Sequence, residues 1–261
     1  MTINGRYDEA IRIASNAAQT ALKHFRVKDA LTIESKGAQD WVSNADREVE
    51  LEVRDAIASA YPDDGIIGEE YDNVVGRSGF DWIIDPIDGT TSFVNGIPGW
   101  CVVIACVRNG NTVLGVVIDP IANEVFSASD ELGALLNGEP ISVTTAVELT
   151  AGSVAVGHST RVDYEQSVRM LSGLMSGGGM FFRTGSGALM LAYVAAGRLL
   201  GFVEPHMNAW DCVAALYIIT KAGGTVEPFD MDAMLENGGR VVAGGPNIYP
   251  KLQQLVEASY E

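Results

Sequence analysis

The 261-residue sequence predicts an α+β fold in which helices pack on largely antiparallel sheets. Three observations carry this reading. Apolar residues recur at helical spacing near both ends of the chain. The stretch from Trp100 to Leu136 breaks into short apolar runs separated by turn dipeptides. No repeat, low-complexity tract or flexible linker interrupts the sequence.

The elements follow in order. Ala10, Ile11, Ala14, Ala17, Ala18, Ala21, Leu22 and Phe25 mark a helix over 7–25. A strand is expected near 31–36, and a second helix over 45–61 with Val49, Val53, Ala56 and Ile57 on one face. Pro62-Asp63-Asp64-Gly65 is a turn. A strand over 80–84 should stop at Pro86, which lacks a ladder donor. Strands over 100–108, 112–119, 124–129 and 133–136 are separated by Asn109-Gly110, Asp119-Pro120 and Asn137-Gly138. The second half reads as strand 153–157, helix 164–176, a Gly-rich loop, helix 188–196 closed by Gly197, strand 199–203, helix 211–222, strand 241–243 and helix 250–259. The chain divides into an N-terminal α+β half, 1–143, and a C-terminal α/β half, 144–261, forming one compact unit.

Charge narrows the function. Asp and Glu number 34 against 17 Lys and Arg, a net charge of −17. Such a surface disfavours nucleic acid or an anionic membrane as the main ligand. An enzyme of anionic substrates with so few cations would need bound divalent metal to invert the local sign. Cys101, Cys106 and Cys212 lie in apolar segments without a CxxC pair and read as buried reduced thiols. No apolar run is long enough to span a bilayer and the N-terminus is polar, so a cytoplasmic location is expected.

Four acidic segments stand out. Trp82-Ile83-Ile84 runs into Asp85-Pro86-Ile87-Asp88-Gly89-Thr90-Thr91. Two carboxylates three residues apart, with the Ile87 carbonyl between them, form a hard-oxygen set suited to Mg²⁺. A surface turn uses the same residue types. Gly68-Glu69-Glu70 follows Ile66-Ile67 in the same way and also fits a solvated acidic loop. Glu204 and Asp211 flank Trp210, where Asp211 equally suits a helix cap. Asp46 precedes a helical run and equally suits a first-turn charge.

The order Gly68-Glu69-Glu70, then Asp85-Pro86-Ile87-Asp88-Gly89-Thr90-Thr91-Ser92-Phe93, then Trp210-Asp211 before Ala222-Gly223-Gly224 resembles the inositol monophosphatase family from about Lys36 to the C-terminal helix. The resemblance implies a layered α-β-α-β-α sandwich, a homodimer, and Mg²⁺-dependent, lithium-sensitive hydrolysis of a phosphate monoester with two or three ions per site. By position, Glu69, Asp85 and the Ile87 carbonyl would hold one ion, and Asp85, Asp88 and Asp211 a second. Glu69 would also hold a third. Thr90 and Asp46 would orient and deprotonate the attacking water, and the Gly89 and Thr90 amides would grip phosphate. Gly185-Ser186-Gly187 would line the substrate, Glu204 would bind its hydroxyls, and His206 lies between proposed site residues. Lys36 matches a basic position near the family's active site. His24 and His158 read as surface or packing residues, Trp210 as a packing anchor, and Arg183 and Arg198 as structural or dimer-facing.

Ser43 departs from a commoner Thr, Gly244-Gly245-Pro246 from a polar residue, and 205–209 matches no one substrate subgroup. Inositol monophosphate is the first substrate expectation and histidinol phosphate the second, with fructose 1,6-bisphosphate and 3′-phosphoadenosine 5′-phosphate as further relatives' substrates. A different class also remains: a regulatory or binding module that keeps the fold, since some family members act through protein or RNA-machinery contacts.

Overall fold

The computed structural model describes residues 3–27, 31–37 and 40–260. The chain opens with α1 (Ile3–Arg26), a short antiparallel ribbon of β1 (Ile33–Gly37) and β2 (Asp40–Ser43), and α2 (Asn44–Ala60). Next come β3 (Gly65–Gly68), β4 (Phe80–Asp88), the short helix α3 (Thr90–Val94), β5 (Cys101–Arg108), β6 (Asn111–Asp119), β7 (Glu124–Ser129), β8 (Gly133–Leu136) and β9 (Glu139–Pro140). Strands β3 to β9 lie side by side in sequence order in one seven-stranded sheet, antiparallel except for the β3–β4 pair. The β5–β6 hairpin turns on Asn109 and Gly110, at φ 49° and 78°. Both central residues being left-handed is the pattern that matches strand twist.

The chain continues through β10 (Ser153–Val156), α4 (Tyr164–Ser176), β11 (Met180–Phe182), α5 (Gly187–Ala195), β12 (Gly201–Met207), α6 (Ala209–Lys221), β13 (Thr225–Val226), α7 (Met231–Asn237), β14 (Gly239–Gly244) and α8 (Tyr249–Tyr260). Its strands form a mixed five-stranded sheet in the order β11-β10-β12-β14-β13.

Strand alternation sorts these elements into five layers. Trp82, Ile84, Val102 and Ile104 face outward from the large sheet onto Ala10, Ala14 and Ala17 of α1 and Val49, Val53 and Ile57 of α2. Ile83, Val103 and Ala105 face inward onto α5 and α6, whose other sides meet Phe202, Val241 and Ala243 of the second sheet. Val154, Val203 and Val242 face α4 and α8 through Met170, Leu174, Leu252 and Val256. The order is α-β-α-β-α. Because α5 is enclosed by both sheets, it is apolar nearly all round rather than striped.

Two expected strand ends are wrong in the same way. Pairing in β4 does not stop at Pro86, and Glu204 does not close β12. Both strands run two residues past a carboxylate–proline pair. The strand expected from Leu199 begins at Gly201, and α6 begins at Ala209 rather than Asp211. The elements β9, β11, β13, α3 and α7 are too short to carry their own periodicity.

Candidate active site

The functional geometry starts with a bulge. Asp85 pairs with Val103 and Asp88 with Cys101, so three steps along β4 match two along β5. In a regular strand, residues three apart point to opposite faces. The extra residue cancels that alternation, and Asp85 and Asp88 both emerge beside Val103 and Cys101, on the face toward α5 and α6. Pro86 is tolerated because a bulge needs no ladder donor there. The Asp85 Oδ1 accepts the Ile87 N–H at 2.9 Å, which fixes the bulged peptide.

The other sheet repeats the device. Glu204 pairs with Val241 and Met207 with Gly239, again three steps against two, across Pro205. Glu204 and Met207 therefore share the inner face. Two carboxylates, each followed by proline, each open a bulge that faces the middle layer.

The middle-layer helices complete the cluster. Asp88 is buried and takes three bonds from the start of α5: Ser186 Oγ at 2.5 Å, Ala188 N at 2.7 Å and Gly187 N at 3.3 Å. Asp211 sits in the first turn of α6, where its Oδ2 accepts from the Asn208 backbone and side chain, both at 3.2 Å. It does act in the cap, and its carboxyl also lies close to that of Asp85. Oxygens of Asp85, Asp88 and Asp211 all lie within 4.8 Å of one another. Glu69 stands outside that trio, at the end of β3, yet its charge acts on Asp85 more than that of any other carboxylate.

Burial first, then Glu69, Asp88, Asp211 and Asp46, push the Asp85 carboxyl well above its ordinary range. Asp211 is raised to about 7, by burial and then by Asp88. Burial also raises Asp88, against the bonds from Ser186 and the α5 amides. Converging buried carboxylates of this kind must share protons or a cation. An all-oxygen donor set of acidic side chains with a main-chain carbonyl beside it fits a hard divalent ion such as Mg²⁺.

A second group adjoins the first. Thr90 Oγ1 lies 3.2 Å from Asp46 Oδ1 and 3.1 Å from the Ile87 carbonyl. Asp46 is fully buried in the first turn of α2, and its Oδ2 accepts from Ser43 N at 2.9 Å and Ser43 Oγ at 2.6 Å. Burial raises its carboxyl, partly offset by the Ser43 bonds. Gly89 joins the two groups. Its φ is 98°, and a Cβ there would sit 2.9 Å from the Gly99 carbonyl, so only glycine turns the chain from β4 into α3.

A cleft of about 140 Å³ opens over Asp88 and Asp211, lined also by Gly185, Gly187, Glu204, His158 and Arg183. Burial raises Glu204 to about 8, against the lowering effect of Arg183. Two sequence expectations need correction. Ser186 is fully buried and binds Asp88, so it does not line the cleft. His206 does not line it either. It precedes Met207, which faces inward, so strand alternation turns its ring away, where Nε2 meets the Asn237 carbonyl at 2.9 Å. The expected surface or packing role of His158 and structural or dimer-facing role of Arg183 also need correction, since both line the cleft. His158 is held by Ser167 at 3.0 Å. The one available signal was proximity in the chain: Arg183 stands two residues before Gly185. The Lys36 side chain lies outside the described residues. Trp210 packs against the inter-sheet core as expected, and all three cysteines are buried and free. Among the described residues no helix is long and apolar enough to cross a membrane.

Ser186→Ala removes both the α5 cap and the shortest bond to Asp88. A lost cap costs about 1 kcal/mol and a lost bond to a charged group about 1.5–3 kcal/mol. The variant is expected to melt several degrees lower, and an unchanged thermal midpoint would show that Asp88 is not held this way.

A five-layer α-β-α-β-α sandwich with carboxylates converging on its middle layer is the architecture that the family resemblance implies. The chain belongs to the inositol monophosphatase family, whose sequence model matches residues 5–261. It is 36% identical over 253 residues to the Nus factor SuhB of Haemophilus influenzae, covering 96% of this chain and 95% of that one. Among solved structures, extragenic suppressor protein suhB of Bartonella henselae matches with a TM-score of 0.90 at 31% identity, covering 96% and 97% of the two chains. An IMPase of Thermotoga maritima matches with a TM-score of 0.86 at 30% identity, covering 98% of each.

Proposed function

We propose that this protein hydrolyses a small phosphate monoester, with an inositol monophosphate as the favoured substrate and histidinol phosphate next. The observation that carries the reading is the convergence of Asp85, Asp88 and Asp211 beside the Thr90–Asp46 bond. Glu69, Asp85, the Ile87 carbonyl, Asp88 and Asp211 would hold two or three Mg²⁺ ions. Bound Mg²⁺ supplies charge neutralisation for the phosphoryl oxygens and lowers the pKa of water.

The chain's own groups do the rest. Water at Thr90 Oγ1 gives its proton to that hydroxyl as the hydroxyl proton passes to Asp46 Oδ1, a carboxyl whose basicity burial increases. The Gly89 and Thr90 amides orient the phosphate at the start of α3. Glu204 and Arg183 present an acceptor and a donor to the leaving alcohol. A cleft this small and polar favours a compact, hydroxyl-rich group over a nucleoside. The exposed Met175, Met180 and Phe181 near edge strand β11 support the homodimer that the family resemblance implies.

The deciding experiment is phosphate release with Mg²⁺, with and without lithium, from inositol 1-phosphate, histidinol phosphate, fructose 1,6-bisphosphate and 3′-phosphoadenosine 5′-phosphate. A preference of about tenfold in kcat/KM, about 1.4 kcal/mol, fixes the substrate class. Release from none of them overturns the catalytic reading. Glu204→Gln is expected to raise KM and shift substrate preference with kcat little changed. A fall in kcat alone, equal across substrates, would remove Glu204 from the binding role.

A second reading has support in the comparisons. Several relatives at 36–37% identity carry the name Nus factor SuhB, which favours a regulatory role for the same fold, with or instead of catalysis.

A further inference from the structure

We infer that Glu50 and Arg54 are positioning residues that set Glu69 in the metal centre by clamping the backbone after it to α2. The inference rests on the proposed metal site and goes beyond it, because neither residue reaches the carboxylate trio.

Asp46, Glu50 and Arg54 are spaced four apart and share one face of α2. All three are buried. The Arg54 Nε donates to Glu50 Oε1 at 2.7 Å. A buried ion pair is costly unless its remaining hydrogen-bonding positions are filled. Here the segment following β3 fills them. Glu50 Oε2 accepts the Glu70 N–H at 2.8 Å. Arg54 Nη2 donates to the Tyr71 carbonyl at 2.9 Å, and Nη1 to the Asp72 carbonyl at 3.0 Å. Three bonds from two buried charges hold residues 70–72 in one place, because any shift would leave a buried charge unsatisfied. Gly68 makes the approach possible: a Cβ there would lie 2.1 Å from Glu50 Oε1.

Glu69 lies between these two fixed points, Gly68 and the Glu70 amide. One turn earlier on the same helix face, Asp46 bonds Thr90. A single helix thus bears on the placement of both Glu69 and Thr90.

The test is Mn²⁺ binding to the full chain, read by titration calorimetry and by the spin-resonance signal of free Mn²⁺. Groups that orient metal ligands typically change affinity 10- to 100-fold when altered. Glu50→Gln is expected to weaken one bound ion by at least about tenfold and leave a second unchanged, matching the pattern of Glu69→Gln. The Glu50→Gln/Glu69→Gln double variant should bind no more weakly than Glu69→Gln alone, since Glu50 acts only through Glu69. Arg54→Lys keeps the charge but loses the fork that spans two carbonyls, and should reproduce the one-ion loss even if Glu50→Gln fails to fold. Wild-type affinity in Glu50→Gln or Arg54→Lys, equal weakening of every ion, or additive losses in the double variant each overturns the positioning role. Wild-type protein that binds no Mn²⁺ overturns the metal centre itself, which is a separate failure.

Discussion

Asp85→Asn is expected to lower kcat by at least about a thousandfold, some 4 kcal/mol of transition-state stabilisation, while raising the melting temperature of the metal-free protein. Both effects have one cause. Asp85 is the carboxylate on which the most repulsion converges, from Glu69, Asp88, Asp211 and Asp46 in a buried setting. Asparagine keeps the side-chain shape and the oxygen that accepts the Ile87 amide at 2.9 Å, so the bulge survives. It removes a charge that bound Mg²⁺ would need from this ligand. Repulsion stored at a functional centre destabilises the fold, and releasing it trades activity for stability. Thermal melts with and without Mg²⁺ separate the contributions. In the wild type, saturating Mg²⁺ should raise the midpoint, because a ligand that binds only the native state stabilises it by mass action. In Asp85→Asn that increment should nearly vanish. Near wild-type kcat at saturating Mg²⁺ would defeat the assignment of Asp85.

The carboxylates were legible in the sequence and their arrangement was not. Local signals marked the helix over Tyr164–Ser176, the strand over Glu124–Ser129 and the Asn109-Gly110 turn, because each depends on residues adjacent in the chain. The bulges at Asp85-Pro86 and Glu204-Pro205 depend on a partner strand. Whether a ladder resumes beyond proline is decided by Cys101 on β5 and Gly239 on β14, far away in sequence. Ending the strands at Pro86 and at Val203 still gave the right residue types, but it lost the reason Asp85 and Asp88 face one way. The same loss explains His206. Its position between Glu204 and Asp211 suggested a site residue, and the face it occupies turns it toward Asn237. Ser186 shows the converse: a turn expected to touch substrate is a buried donor whose acceptor, Asp88, lies 98 residues away.

The metal-free protein is expected to lose stability as pH rises from about 4 toward 8, and Mg²⁺ is expected to flatten that slope. The direction follows from proton linkage. The folded-state carboxyls of Asp211, at about 7, and Glu204, at about 8, lie above their ordinary values. Between the two sets of values the native state holds more protons than the unfolded chain, so the free energy of unfolding falls with pH. The contribution is fully present below the unfolded pKa near 4 and is lost as pH passes through 7 to 8. Each pKa unit carries about 1.4 kcal/mol, so the total is on the order of several kcal/mol. This inverts the trend of salt-bridged carboxylates, which stabilise above their unfolded pKa. Mg²⁺ among Asp85, Asp88 and Asp211 would favour their charged forms and displace the protons, removing most of the slope that Asp211 contributes. Glu204 lies outside the Asp85–Asp88–Asp211 trio, so its share of the slope should persist with metal and shrink in Glu204→Gln. Melting midpoints from pH 5 to 8, with chelator and with Mg²⁺, read both shares directly. A metal-free midpoint that rises across this range would mean that these carboxylates are charged in the folded protein. The case for a cation-demanding cluster would then fail.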